Sequence, residues 1–301
     1  MNASFPYGPA PACQRWTRRR MSFRPAGELF NPNRHEVVLL NDTDAKAFCA
    51  EHHYASAMPP ARLRVGLMRK MAFSADALVG LAVFSVPMQN AVLEKYLKAD
   101  METGAELGRF VCTEAVEGNG ESWLIRAACR LLQRETKIWA IVSYCDPLPR
   151  TDEFGNVTKF GHVGTIYQAV SAKLLGRSSP RTLVLPRSGQ VISERALSKI
   201  RAAESGAAYA YRQLLAAGAP EREWGEEPGD YVRRALSSDA FTRIRHPGNY
   251  VYGMGCGNKL ERRLVSSRLG PGLPYPKVVP ASVTSGDERA CANMSLNVFV
   301  A

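Results

Sequence analysis

Residues 106–142 decide the fold. Glu106-Leu-Gly-Arg-Phe-Val-Cys112 reads as a β-strand, Gly118-Asn-Gly-Glu-Ser122 as a turn, residues 123–136 as a helix, and Ile138-Trp-Ala-Ile-Val142 as a buried strand. Ser122 is a good N-cap, and Trp123, Ile125, Ala127, Ala128, Leu131 and Leu132 supply an apolar stripe at helical spacing. Toward the N-terminus, Glu36-Val-Val-Leu-Leu40 is a short apolar run, and Asn41-Asp-Thr-Asp44 can cap a helix over 43–52. Leu63–Phe73 and Leu78–Val86 are β-prone runs separated by Ser74-Ala-Asp76, which predicts a hairpin ended by Pro87. Toward the C-terminus, a polar loop reaches residue 161, Tyr167, Val170, Ala172 and Leu174 mark a short helix ended by Gly176, and Arg181–Leu185 is a final strand. The order β-α-β-β-β-α-β-α-β predicts an α/β protein with a mixed central sheet flanked by helices.

Around this body the composition changes. Residues 1–36 read as a basic N-terminal arm, 37–186 as the catalytic domain, and 187–301 as a basic C-terminal extension with helical spacing over 193–216 and 228–237. The net charge of +11 divides into +4 over 1–36, −1 over 37–172 and +8 over 173–301. A near-neutral body with cationic flanks suggests a polyanionic partner, since each phosphate neutralised by Lys or Arg releases counterions. A solvated surface is the plainer explanation of the same charge. With 46% hydrophobic and 22% charged residues, disorder throughout is excluded. No apolar stretch approaches the roughly 20 residues of a membrane span, and the early arginines precede no signal-peptide core. The seven cysteines are scattered and form no CxxC pair, so neither a disulfide framework nor a structural zinc cluster is expected, and a reducing cytoplasm is.

Three groupings could carry chemistry. His52-His53-Tyr54 closes the first helix, where a histidine also serves the helix dipole. Asp146, in Ser143-Tyr-Cys-Asp146-Pro147, follows a buried strand at the edge where α/β sheets bind ligands, and it is equally a turn-forming residue before proline. Gly161-His162-Val-Gly-Thr-Ile-Tyr167 enters a helix. His53, Asp146 and His162 make a two-histidine, one-carboxylate set for iron, with Tyr54 as a further oxygen ligand. The Gly118–Ser122 turn, with Asn119 and Ser122, could cradle a pyrophosphate. Arg109, in an apolar strand, needs an anionic partner, a salt bridge to Glu106 or Glu114 being the structural alternative.

These pieces in this order resemble the GCN5-related N-acetyltransferase (GNAT) fold. The strings His53-Tyr54, Glu106-Leu-Gly-Arg109, Asn119 with Ser122, Ser143–Pro147 and Gly161-His162-Val-Gly-Thr-Ile-Tyr-Gln-Ala169 are similar to the phage Mu Mom family, over about residues 37–186. That family converts adenine in DNA to N6-(carbamoylmethyl)adenine and hides phage DNA from restriction enzymes. The resemblance implies an active centre of His53, Tyr54, Asp146 and Tyr167, with Arg109, Ser122 and Asn119 near a cofactor. It also implies an iron ion held by some of His53, Tyr54, Asp146 and His162, and acetyl-CoA or a related donor. The acetyltransferase Gln/Arg-x-x-Gly-x-Gly/Ala loop is absent after Arg109.

Adenine N6 is a weak nucleophile, so a base must take its proton, and Asp146 is the candidate, with His53 as the alternative. The target is paired in double-stranded DNA and would be flipped out. DNA contact is expected from Arg18, Arg19 and Arg20 within the Arg15–Arg24 cluster, and from Arg243, Arg245, His246, Lys259, Arg262 and Arg263, with Trp16, Phe23, Tyr250 and Tyr252 as stacking platforms. No membrane is expected as a partner, and a homodimer is. The competing readings are a GNAT acting on a small-molecule or protein amine, and a non-catalytic DNA-binding protein. The transferase reading requires His53, Asp146 and Tyr167 to meet in one cleft.

Overall fold

The computed structural model describes residues 12–276 apart from 19, 26, 27, 56, 156 and 160. Along the chain run β1 (Ala12–Thr17), β2 (Arg20–Pro25), β3 (His35–Leu39), α1 (Asp42–His52), β4 (Ala61–Arg69), β5 (Ala77–Ser85), α2 (Ala91–Leu97), β6 (Gly104–Cys112), α3 (Gly120–Glu135) and β7 (Ala140–Cys145). There follow β8 (Arg150–Thr151), β9 (Val157–Lys159), α4 (Thr165–Ala169), β10 (Lys173–Arg177), β11 (Arg181–Pro186), α5 (Glu194–Arg201), α6 (Ala207–Ala216), α7 (Pro228–Ala235), β12 (Phe241–His246), β13 (Tyr250–Gly255) and α8 (Lys259–Arg268). The described residues form two compact units. The first takes the chain up to Cys145 with Gly164–Gly176 and Tyr250–Tyr275, and the second takes Asp146–Val163 and Arg177–Asn249.

The first unit is a seven-stranded sheet of order β10-β13-β7-β6-β5-β4-β3, in which β3 to β6 are antiparallel neighbours, β6 and β7 are parallel, and β7 and β13 are antiparallel. This is the mixed α/β architecture that the apolar runs predict. Helices cover both faces, which explains why β5 and β13 are almost continuously buried. Ala45, Phe48 and Cys49 of α1 pack on Leu81, Val83 and Val111. The stripe of α3 buries Leu124, Ile125, Ala128 and Leu132, with Leu124 against Gly80 of β5. Leu93 and Leu97 of α2 and Val265 of α8 close over Ala140, Val142 and Val251.

The pairing of β6 with β7 runs only from Gly104↔Ala140 to Glu106↔Val142, although both strands continue. The cause lies on the other edge of β6. Val83 pairs with Arg109 and Phe84 with Leu107, so Gly108 is bulged out, and a bulge bends its strand. A Cβ at Gly108 would lie 2.3 Å from Ser85 Oγ, so a larger residue there would force Ser85 to swing aside. Beyond Glu106 the strands fork, and the Leu107 carbonyl takes a hydrogen bond from Ser143 Oγ at 3.3 Å instead of from backbone.

Several expectations are corrected. The N-terminal arm contains the β1–β2 hairpin, whose turn passes through Arg18 at φ +48° without a glycine to announce it. Asn119, in the left-handed region at φ +68°, rather than Ser122, precedes α3. The central sheet is not confined to 37–186, because its β13 comes from residues 250–255. Tyr250 and Tyr252 are therefore buried in that strand and offer no stacking surface. β11 is outside the central sheet and pairs with β12 in the second unit. That unit has its own core of Leu197, Ile200, Leu214, Tyr231 and Val232 from α5, α6 and α7. Among the described residues no helix is long and apolar enough to cross a membrane.

Candidate active site at a strand fork

The fork collects polar side chains in the first unit. Glu106 ends the parallel ladder, and desolvation raises its pKa to about 7 against the lowering influence of Arg109. The Arg109 guanidinium donates to the carbonyls of Ala57, at 3.0 and 2.6 Å, and of Gly108, at 2.6 Å. Its expected anionic partner is thus replaced largely by carbonyl oxygens, with Glu106 close enough to respond to its charge.

Tyr167 of α4 is buried, hydrogen bonds with Ser143, and feels Glu106 and Tyr54 electrostatically. Burial pushes its phenol, and that of Tyr144 beside Glu106, well above the ordinary tyrosine range, so both are hydrogen-bond donors rather than bases. His53, the C-cap of α1, is buried with Nδ1 3.0 Å from the Ala55 amide, and its ring stacks on Tyr54 at 4.3 Å. Tyr54 is 39% exposed and also meets Trp16 at 5.3 Å. Tyr54, stacked on His53, is thus near enough to Tyr167 to influence its charge.

Asp146 and His162 belong to the second unit and form a different structure. Asp146 Oδ1 accepts from His246 Nε2 at 2.8 Å and the Leu148 amide at 3.0 Å, while Oδ2 pairs with Lys159 at 2.6 Å and with Arg150. Burial would raise this carboxyl, yet Lys159 and Arg150 with their hydrogen bonds hold it far below the usual range. The Gly248 amide, in a turn at φ +96°, donates to His246 Nδ1, which fixes the proton on Nε2 facing Asp146. A carboxylate so fully engaged is ionised at neutral pH, and Lys159 and Arg150 would have to let go before it could take a proton. Burial, then Lys159, pushes His162 down to about 4, so it is neutral.

Asp146 is already neutralised by two cations that a metal ion would have to displace, whereas His162 is neutral, the form in which imidazole ligates a metal. Among the described residues no three His, Cys, Asp or Glu side chains are grouped to hold a metal. In the Gly118–Ser122 turn two amides and the Ser122 hydroxyl are already engaged. The Gly118 amide donates to Glu28 and the Gly120 amide to Glu117, a Cβ at Gly120 would strike Val116 and Phe30, and Ser122 Oγ bonds the Asn119 carbonyl.

Of the residues expected on DNA, Arg18, Arg243 and Arg245 are exposed, as are Lys259 and Arg263, and Arg262 is half-buried. His246 is fully buried on Asp146 and is removed from that set. Arg15 is also fully buried, donating to the Val116 and Glu117 carbonyls and pairing with Glu121. Arg19 lies outside the described residues, as do the side chains of Arg20, Phe23 and Arg24. Glu106, absent from the expected site residues, is a carboxylate in an apolar strand and carries the same signal as Arg109 three positions on.

Residues 34–224 match the family described as the Mom protein family. No curated protein matches the chain. Among solved structures, the chain is similar to one described as a tandem GNAT protein from the clavulanic acid biosynthesis pathway, without AcCoA. The identity is 10%, the match covers 75% of this chain and 99% of that one, and the TM-score is 0.38.

Proposed function

The chain belongs to the Mom protein family, a family of DNA-modifying transferases, and on that premise we propose that it converts adenine in DNA to N6-(carbamoylmethyl)adenine, protecting the DNA of a phage from restriction enzymes. The observation that carries this reading is that the matched span contains the whole fork, from His53 and Tyr54 through Glu106 and Arg109 to Tyr167.

The product requires a bond from N6 to a methylene carbon of the donor, departure of the donor's leaving group, and loss of one N6 proton. N6 is a poor nucleophile because its lone pair is delocalised into the ring, so the proton must be taken as the bond forms. We assign that step to Glu106, which burial poises near neutrality. Tyr144 and Tyr167 stay protonated and orient the carboxylate and the incoming amine by hydrogen bonding. The half-exposed Tyr54 ring, held between His53 and Trp16, offers a face for a purine extruded from double-stranded DNA. In this reading the sheet is GNAT-related, a homodimer is the working assembly, and the host cytoplasm is where the protein acts.

The test is expression in a bacterial host, digestion of its DNA to nucleosides, and mass spectrometry for a modified deoxyadenosine, with Glu106→Gln as control. Unmodified adenine alongside abundant, folded protein would overturn the reading.

A further inference from the structure

Within the first unit, α3, the end of α4, β10, β13 and α8 line an open cleft of about 220 Å³ that none of Glu106, Arg109, Tyr144 and Tyr167 borders. Five cationic side chains line it, Arg126, Lys173, Lys259, Arg262 and Arg263, and no acidic one does. The inner three are half-buried and held by backbone oxygens. Arg126 donates to the Val170 carbonyl at 2.6 Å, Lys173 to the Ser266 carbonyl at 2.7 Å and to that of Gly270, and Arg262 to the Gly257 carbonyl at 2.8 Å. Among the described residues none of the five has a carboxylate within ion-pair distance. They also crowd one another: desolvation, and after it the charge of Arg262, lowers the pKa of Arg126. The crowding is built into the backbone. A Cβ on Gly255 would lie 2.7 Å from Val265 and 3.1 Å from the Arg262 Cα, so glycine lets α8 lie close on β13.

Half-buried like charges destabilise a fold unless an anion joins them. Carbonyl tethers fix the heads but carry no negative charge, and each guanidinium keeps further N–H donors for a ligand. A carboxylate would neutralise one charge of five, whereas a phosphoryl group offers several oxygens to two guanidinium forks and an ammonium at once. From this geometry we propose that the cleft is a phosphate-binding subsite, with Arg126, Lys173 and Arg262 as its inner ligands and Lys259 and Arg263 at its rim. The phosphoryl group could come from a nucleic-acid backbone or from a phosphorylated small molecule. The inference goes beyond the transferase reading and does not depend on the chemistry at the fork.

The probes are inorganic pyrophosphate and a short duplex oligonucleotide, each titrated calorimetrically into the full chain. Arg126→Gln with Arg262→Gln should bind pyrophosphate about a hundredfold more weakly, each lost charge-assisted contact contributing about a factor of ten. Ser266→Glu, which puts a carboxylate into the cleft, should lose pyrophosphate binding while raising thermal stability, so loss of binding is separated from loss of folding. A nucleic-acid ligand predicts that the double substitution also weakens the duplex and flattens its salt dependence. A small-molecule ligand predicts duplex binding unchanged. The proposal is overturned if the wild type shows no saturable pyrophosphate binding, or if both variants bind both probes as it does. Absence of modified adenine would sink the transferase reading and leave the cleft untouched, whereas unaltered binding in the variants would sink the cleft alone.

Discussion

Replacing Asp146 with Asn should destabilise the second unit by about 3–5 kcal/mol, the range for removing one partner from a buried ion pair. The magnitude follows from the partners. Lys159, Arg150 and the carboxylate are each about a tenth exposed or less, so water screens them little, and His246 is fully buried. Asparagine keeps an oxygen for the His246 and Leu148 donors but turns an amide N–H₂ toward Arg150 and Lys159, stranding two cations. The dependence on pH has a definite sign. A carboxyl held below its unfolded value of about 3.9 contributes stability that is full above that pH and lost as acid protonates it. Urea denaturation followed by circular dichroism at pH 7 and at successively lower pH should show the gap between wild type and Asp146→Asn shrinking below about pH 4. Lys159→Met in the Asp146→Asn background should recover part of the loss. A difference under about 1 kcal/mol at pH 7, the level of an exposed ion pair, would refute the reasoning.

Glu106→Gln should lower the modification rate by about 10²–10⁴, the usual contribution of a general base. Wild-type activity should rise with pH around a midpoint near 7, where Glu106 ionises, and residual Gln activity should lack that limb. Because the Glu106 pKa is raised in the fold from 4.5 to about 7, its carboxyl costs stability progressively as pH rises between those values and no further above them, so Glu106→Gln should be relatively more stable at pH 8 than at pH 5 in thermal melts. Arg243→Ala with Arg245→Ala, on the exposed side of β12, should weaken duplex binding and flatten its dependence on salt in fluorescence-anisotropy titrations. Arg15→Ala should destabilise the first unit by about 3 kcal/mol or more in denaturation experiments, because it strands Glu121 and two carbonyls, and should leave the salt slope unchanged.

Much of the central sheet was legible because its strands are apolar runs and its helices have clear stripes. Asn41 caps α1 as its spacing predicts, accepting from the Asp44 amide. β13 was not legible: Tyr250-Val-Tyr-Gly-Met-Gly255 carries two glycines, which read as loop, yet they admit Leu175 and α8 against the strand. At the site, local pattern exposed His53, Tyr54 and Tyr167. It could not reveal the roles of Asp146 and Glu106, which are set by neighbours distant in sequence: His246 lies a hundred residues from Asp146, and the fork around Glu106 depends on a bulge two residues away. Charge counting likewise could not tell a buried cation such as Arg15 from an exposed one such as Arg18.

Because β13 lies between β7 and β10, the strand that joins β10 to the rest of the sheet is made only after residues 177–249. Until residue 255 emerges, β7 has an unsatisfied edge and β10 has no neighbour to join it to the sheet. The nascent protein must hold that slot open while the whole of 177–249 is made. A fragment cut at 186 would carry the fork residues yet keep the slot empty, offering its bare edge to other chains.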